Sequence, residues 1–240
     1  MIAFITSSPF REDVDRPTFS NANGFIDRIR GALTEYPRCL YICSSPERRD
    51  LNCLYGADIF MAFANAGIHF SSYQVLDDAN AHRAGELVAQ ADLIVLAGGH
   101  VPTQNAFFRR IGLRHLLENY PGVVMGISAG SMNAADVVYS QPEEPGESSP
   151  AFPRFLPGLN LTKVNILPHY QKVKDDILDG KRLYEDITFA DSMGHTFYAL
   201  PDFSYVLSDE NGETIYGESY RVRDGQMQHL TFHGESLPIR

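Results

Sequence analysis

The sequence predicts an α/β protein, a three-layer α/β/α sandwich whose central sheet is mostly parallel. Two observations predict this fold class. Across the first 135 residues, short branched or aromatic segments alternate with segments of helical spacing, the pattern of strand–helix–strand crossovers. Two of these segments, 92–99 (DLIVLAGG) and 122–128 (GVVMGIS), are almost continuously apolar, as expected of central strands covered on both faces.

Each element of this half has its own sequence pattern. The predicted strands are IAFITS (2–7), CLYICSS (39–45), FSSYQVL (70–76) and the two apolar segments above. Phe25, Ile29 and Leu33 recur at four-residue steps, and Gly67 is a favourable helix end. The predicted helices therefore cover residues 23–36, 52–67, 79–90 and 103–120.

The second half of the chain lacks the regular alternation of strand-like and helix-like segments. Residues 137–160 contain five prolines and a group of acids without strand or helix period, which predicts a functional loop or a disordered linker. A strand is expected at 161–170 and a helical segment, broken at Gly180, at 172–187. Short antiparallel strands follow, with hairpin turns at 211–212 and 224–225. No repeat or linker divides the chain, so we expect a single domain over residues 1–240.

Composition restricts the partners. A formal charge of −10 and a pI near 5.2 argue against binding to nucleic acid or to an anionic membrane surface. No apolar run approaches the length of a membrane span, and the N-terminus lacks the features of a signal peptide. The three cysteines form neither a CxxC pair nor a zinc pattern, and their odd number without a secretion signal predicts reduced thiols in a cytoplasmic protein. The eight scattered histidines lack metal-ligand spacing, so no metal is expected, and no cofactor is expected either. A monomer or a homodimer is expected.

The segment 126–130, Gly-Ile-Ser-Ala-Gly, places a serine between two glycines where a buried strand ends. This spacing is typical of a nucleophile elbow, although small residues there would equally serve close helix–sheet packing. A second glycine pair, 98–99, ends another predicted strand and leaves backbone N–H groups accessible. Together these features favour an acyl-transfer site with Ser128 as nucleophile and an adjacent oxyanion hole.

A serine nucleophile requires a base, and the base requires an acid to orient it. His169 is the best candidate for the base because it follows a predicted strand, as Ser128 does, and is expected at the same sheet edge. The alternatives are His195, His229 and His233; an α/β-hydrolase order would instead use Asp202 with His229. The acid is expected in the loop between serine and histidine, where the glutamates are Glu143, Glu144 and Glu147.

Three segments in this order, LIVLAGGHVPTQ (93–104), GVVMGISAGSMNAA (122–135) and NILPHY (165–170), resemble the peptidase E group of serine peptidases, which includes aspartyl dipeptidases and the more distant cyanophycinases. The resemblance implies a fold similar to class I glutamine amidotransferases and a Ser–acid–His chain order. It implies Ser128 as nucleophile, His169 as base and the Gly99 and Ala129 N–H groups as the oxyanion hole. Glu143 or Glu144 is the expected acid.

Two positions bear on the substrate. His100 stands where the dipeptidases have asparagine, and its side chain is expected to line the cleft. Arg182, in GKRLYEDI (180–187), is the residue best placed to attract an acidic substrate side chain. The expected function is hydrolysis of small peptides, including dipeptides with N-terminal aspartate. The alternatives are another acyl or isopeptide substrate for the same triad, and a non-catalytic binding module on an amidotransferase-like scaffold.

Overall fold

The computed structural model describes residues 1–239, and its strands and helices alternate through the first half of the chain as predicted. The strands are β1 Ile2–Thr6, β2 Arg38–Ile42, β3 Ser72–Leu76, β4 Leu93–Leu96, β5 Val123–Ile127, β6 Val137–Tyr139, β7 Phe155–Pro157, β8 Asn165–Leu167, β9 Ile177–Leu178, β10 Lys181–Arg182, β11 Thr196–Ala199, β12 Tyr205–Asp209, β13 Gly212–Tyr216, β14 Ser219–Arg223, β15 Gln226–Thr231 and β16 Ser236–Ile239.

The α-helices are α1 Phe25–Ala32, α2 Arg49–Asn65, α3 Ala84–Gln90, α4 Val101–Arg110, α5 Leu113–Leu117, α6 Ala129–Asn133, α7 Tyr170–Val173 and α8 Phe189–Asp191. Short 3₁₀ turns cover Ala22–Gly24 and Asp78–Arg83, and a π-helical turn covers Leu183–Thr188. In the part of the chain that is described, no helix is both long and apolar enough to cross a membrane.

An eight-stranded sheet forms the centre of the molecule, with strand order β16-β13-β12-β1-β5-β4-β2-β3. The five strands from β1 to β3 in this order run parallel, and β12, β13 and β16 extend the sheet antiparallel. All residues of β4 and β5 are buried, as their apolar sequences predict. The predicted α/β class with a mostly parallel central sheet is confirmed.

A second sheet of four strands, in the order β15-β14-β11-β8, lies beside the first. Its strands β8 and β11 are parallel to each other, while β14 and β15 form the predicted antiparallel hairpin. The second sheet has its own buried cluster, which includes Leu167, Tyr184, Phe197 and Val222. The residues that follow β8 and β11 matter most for the site described below.

Three segments of the second half differ from prediction. Residues 172–187 are not one helix, because β9 and β10 form a hairpin whose turn, Asp179-Gly180, has positive φ at both residues. An Asp-Gly pair is favoured in such a turn, so the local turn chemistry prevails over the helical spacing. The 137–160 loop begins and ends with β6 and β7, which pair antiparallel. Strand β16, at the edge of the main sheet, was not predicted.

Candidate active site

Ser128 lies at the sharp turn between β5 and α6. Its backbone has φ 49° and ψ −112°, outside the regions that ordinary residues adopt. The Ser128 N–H donates to the carbonyl oxygens of Thr6 and Ser7, at 3.1 and 2.9 Å, and so anchors the turn to the end of β1. This strained strand-to-helix turn is the geometry of a nucleophile elbow, and it directs the hydroxyl into a surface cavity.

The glycines on either side of Ser128 serve the packing. A Cβ at Gly130 would lie 2.3 Å from the Leu96 carbonyl oxygen, and one at Gly126 would lie 2.7 Å from the Ser131 Cα. Both distances are too short for any side chain, so α6 can approach the sheet only with glycine at these positions. Close packing and exposure of the serine are therefore consequences of the same turn.

His169 lies opposite the serine. Its Nε2 is 3.0 Å from the Ser128 Oγ, within hydrogen-bonding distance. His169 follows β8 and has a left-handed backbone conformation, with φ 57°. The expectation that His169 lies at the same sheet edge as Ser128 is wrong, because β8 belongs to the second sheet and β12 occupies the place beside β1. The imidazole reaches the serine from across the junction of the two sheets.

The carboxylate beside His169 is that of Asp202, whose Oδ1 lies 2.7 Å from the His169 Nδ1. Asp202 follows β11, the parallel neighbour of β8. This corrects the expected acid: neither Glu143 nor Glu144 contacts the imidazole. The chain order is Ser–His–Asp instead of Ser–acid–His, because pairing of β8 with β11 brings the ends of both strands together.

Four donors surround the Asp202 carboxylate. Besides His169, the Ser7 hydroxyl donates to it at 3.1 Å, the Gln171 amide at 2.7 Å and the Lys172 ammonium at 2.9 Å. Burial alone would raise the pKa of this side chain, which is only 8% exposed. The hydrogen bonds from His169 and Lys172 outweigh burial and lower the pKa of Asp202 to about 2. Asp202 is therefore ionised at neutral pH.

Ser7, which sequence analysis did not single out, connects the two sides of the site. Its hydroxyl accepts a hydrogen bond from the His169 backbone N–H at 2.7 Å and donates to Asp202. Its backbone carbonyl accepts from Ser128 N–H. Ser7 follows β1 directly and is completely buried. The position after a first strand was visible in the sequence, but nothing there distinguishes Ser7 from Ser8.

Gly99 and Ala129 line the cavity together with Ser128 and His169. Gly99 has φ 146°, and a Cβ there would lie 2.4 Å from the Ser44 Oγ, so the position requires glycine. Among residues 1–239, no acceptor takes a hydrogen bond from the Gly99 or Ala129 N–H. Two free backbone donors thus adjoin the serine, as the expected oxyanion hole requires.

Comparison with known proteins identifies the family of the chain. Residues 13–215 match the model of Peptidase family S51, a match that includes Ser128, His169 and Asp202.

The chain belongs to peptidase family S51.

Membership in family S51 makes the protein a serine-type peptidase. Sixteen chains of solved structures also match its fold. One, from Listeria monocytogenes EGD-e, carries the provisional description peptidase E. It has a TM-score of 0.61 and 15% sequence identity over 96% of this chain and 98% of its own, a likeness of fold. No curated protein matches the sequence.

The loop glutamates of this family S51 chain lie on the α4 side of the cavity. Glu143 lines the cavity, whereas Glu144 does not. Glu147 accepts hydrogen bonds from the Glu143 and Glu144 N–H groups and contacts His100 at 2.8 Å. Burial opposes ionisation of Glu147, but these hydrogen bonds outweigh it and lower its pKa. Glu147 therefore holds the loop closed on itself and on α4.

His100 and Arg182, the two expected substrate contacts, both have partners outside the cavity. The His100 ring bridges Thr103 and Glu147, at 2.7 and 2.8 Å. Arg182 forms a two-point ion pair with Asp186 on the protein surface. The substrate-binding roles assigned to both side chains stay predictions, and neither side chain lines the cavity.

The alternative histidines lie elsewhere. His195 stacks on Phe155, His229 stacks on Tyr220, and His233 is exposed in the turn before β16. Asp202 contacts His169, not His229 as the α/β-hydrolase order would have it. The position of His169 after a strand and a proline therefore identified the histidine that faces Ser128.

One group of side chains has the spacing of a metal site. Ligand atoms of His100, Glu144 and Glu147 all lie within 4.8 Å of one another. His100 and Glu147 already hydrogen bond to each other, and Glu147 also binds two backbone N–H groups. The group is satisfied as a contact between the loop and α4, and none of its members touches Ser128.

Proposed function

We propose that the protein hydrolyses small peptides through a triad of Ser128, His169 and Asp202. The observation that supports this proposal is the placement of His169, whose Nε2 lies 3.0 Å from Ser128 Oγ while its Nδ1 lies 2.7 Å from Asp202. One imidazole thus faces a nucleophile on one side and an ionised carboxylate on the other. That is the arrangement that general-base activation of serine requires.

In the first step the Ser128 Oγ attacks the scissile carbonyl carbon, and His169 Nε2 takes the hydroxyl proton. The tetrahedral intermediate collapses when His169 returns this proton to the leaving amine, which departs and leaves an acyl-serine. Water, deprotonated by His169, then attacks the acyl-serine; the acid is released as His169 returns this proton to Ser128 Oγ, which regenerates the free enzyme. Asp202 stays ionised throughout and stabilises the imidazolium.

The negative oxygen of each tetrahedral intermediate is placed against the Gly99 and Ala129 N–H groups. Both groups border the serine and are free to donate. Because the donors are fixed by the glycine turn and by the start of α6, they need no reorganisation as charge develops. Removing one such donor costs about 3–4 kcal/mol in other acyl-transfer enzymes.

The cavity supports small peptides as the substrate class. It has a volume of about 220 Å³ and is closed on one side by the 137–160 loop, through Gln141 and Pro142. The preference for N-terminal aspartate implied by resemblance would require a cation in this space, but Arg182 is paired with Asp186. We therefore propose small peptides without the aspartyl preference. Action in the cytoplasm is supported by three free cysteines.

The test combines a fluorophosphonate probe, which labels activated serines, with hydrolysis of an aminoacyl p-nitroanilide panel. Wild type is expected to be labelled and to cleave members of the panel, and Ser128→Ala is expected to do neither. Ser131→Ala is the matched control, since Ser131 is buried in the same helix. Labelling without cleavage would favour another acyl substrate. A wild-type protein that is neither labelled nor active would favour the binding module.

A further inference from the structure

The charged groups of the catalytic cavity are mostly acidic. Besides His169, the titratable residues that line it are Glu143 and Asp176, both acidic. Of the residues that the structure describes, no lysine or arginine lines the cavity. A substrate group that enters it therefore meets two carboxylates and no permanent positive charge.

The cations nearest to Asp176 in sequence have other partners, and the first of them, Lys174, pairs with Asp175 at 3.9 Å. Lys172 pairs with Asp202 and Glu12, on the outer side of the triad. Lys181 donates to the Ser148 carbonyl, and Arg182 pairs with Asp186. None of these side chains neutralises the two cavity carboxylates, so their negative charge is available to a ligand.

Glu143 is held against the cavity wall. The residue as a whole is exposed, but protein atoms surround its carboxyl group, and this loss of hydration raises its pKa. The neighbouring His100 and the Val101 N–H act in the opposite direction. No lysine or arginine within residues 1–239 pairs with Glu143. A partly dehydrated carboxylate without a cation is stabilised by any positive charge that comes beside it.

Asp176, the second acidic residue of the lining, lies in the segment between α7 and β9. Its backbone carbonyl accepts a hydrogen bond from the Leu183 N–H, which fixes this segment next to the apolar side chains of Ile177, Leu178 and Leu183. Carboxylates at the edges of an apolar wall suit a ligand with an aliphatic stem and a charged end.

We propose that this cavity selects a positively charged substrate group, an ammonium or guanidinium, held by Glu143 and Asp176. The inference rests on the proposed function and names its substrate class. The cation is either the free α-amine of the peptide or a lysine or arginine side chain. Both sources have the same chemistry, and an acidic side chain is excluded by repulsion from the two carboxylates.

Ligand binding tests the proposal without relying on turnover. Dissociation constants are measured by ligand-observed NMR for four amides: lysinamide, Nα-acetyl-lysinamide, norleucinamide and aspartic acid α-amide. Lysinamide is expected to bind at least about fivefold more tightly than the aspartyl compound, since like charges across a binding site oppose association. Retained binding of Nα-acetyl-lysinamide identifies the side chain as the cation, and its loss identifies the α-amine. Equal or tighter binding of the aspartyl compound overturns the proposal.

Variants then locate the effect. In Glu143→Gln/Asp176→Asn the advantage of lysinamide over the aspartyl compound is expected to fall to within about twofold, because the charges that produce it are gone. Glu144→Gln/Asp175→Asn is the matched control: it removes the same two charges, each one residue away, from residues that do not line the cavity. An unchanged advantage in the double variant, or an equal loss in the control, contradicts the inference.

Failure of the inference and failure of the proposed function give different results. Fluorophosphonate labelling of Ser128 reports on the triad, and the amide dissociation constants report on the cavity. A labelled protein with no cation preference refutes only the substrate class. A protein that binds lysinamide selectively but is never labelled refutes the peptidase mechanism. Labelling of the double variant at the wild-type rate also shows that its fold and triad are intact.

Discussion

His169 and Asp202 contact each other because of a strand pairing. Leu167 on β8 lies opposite Ala199 on β11, and the two candidate catalytic residues follow these partners by two and three positions. The short parallel pairing therefore sets the 2.7 Å contact between Nδ1 and Oδ1. The 137–160 loop, where the acid was expected, takes no part in it.

Asp202→Asn is expected to lower kcat by about 10³- to 10⁴-fold, because an amide neither holds the required imidazole tautomer nor stabilises the imidazolium. Glu144→Gln is expected to stay within about threefold of wild type, since most surface changes that touch no reacting group have small effects. The kcat values of both variants are measured by steady-state kinetics on a cleaved p-nitroanilide, and circular dichroism verifies that both are folded. A larger loss of kcat in Glu144→Gln would indicate that the loop glutamate, and not Asp202, is the acid of the triad.

The depressed pKa of Asp202 predicts a pH dependence of stability. The folded pKa is about 2 and the ordinary value 3.8, so the ionised form stabilises the fold above pH 4. This contribution, about 2 kcal/mol, is lost as the pH falls through 2. The difference in unfolding free energy between wild type and Asp202→Asn should shrink by that amount between pH 6 and 2. Urea titrations at several pH values measure both unfolding free energies. A difference between the two proteins that does not change with pH would contradict the prediction.

Ser7→Ala is expected to reduce the unfolding free energy by about 1–3 kcal/mol, because it leaves the buried His169 N–H without an acceptor. It should also lower kcat by about tenfold with little change in KM, since His169 and Asp202 lose a shared anchor. Ser8→Ala is the control, because Ser8 touches neither residue. A loss of stability with unchanged kcat would show that Ser7 has no positioning role.

Gly130→Ala is expected to destabilise the protein by about 3 kcal/mol, because its Cβ would lie 2.3 Å from the Leu96 carbonyl oxygen and neither backbone can move freely. Gly31→Ala is the matched control. Gly31 lies in α1 with open space around it, so alanine should stabilise the fold by up to about 1 kcal/mol. Chemical denaturation measures the unfolding free energy of both variants. Equal values would show that α6 can move away from the sheet to accommodate the alanine.

Much of the fold is predictable because its local patterns agree with its tertiary structure. The apolar segments at β4 and β5 and the Asp224-Gly225 turn each have one favourable local solution, and the structure adopts it. The spacing of the apolar residues around 177–182 predicts a helix. The Asp179-Gly180 pair instead forms a turn, and the segment folds as a hairpin. The composition of the tail did not show that β12, β13 and β16 extend the main sheet.

The site is predictable only where the nucleophile and base follow recognisable strands. Ser128 and His169 do so, and the structure brings them together. Asp202 also follows a strand and a proline, as His169 does, but pairing of two three- or four-residue strands is a long-range property that one sequence does not display. The chain order implied by resemblance directed attention to the glutamate loop instead.

The distribution of the triad over two sheets has a consequence during protein synthesis. Ser128 leaves the ribosome well before Asp202, and β11 must pair with β8 before the imidazole has its carboxylate. Before that pairing, His169 lacks the carboxylate that orients it. The enzyme therefore reaches full activity only after the chain has been made past residue 202 and β11 has paired with β8.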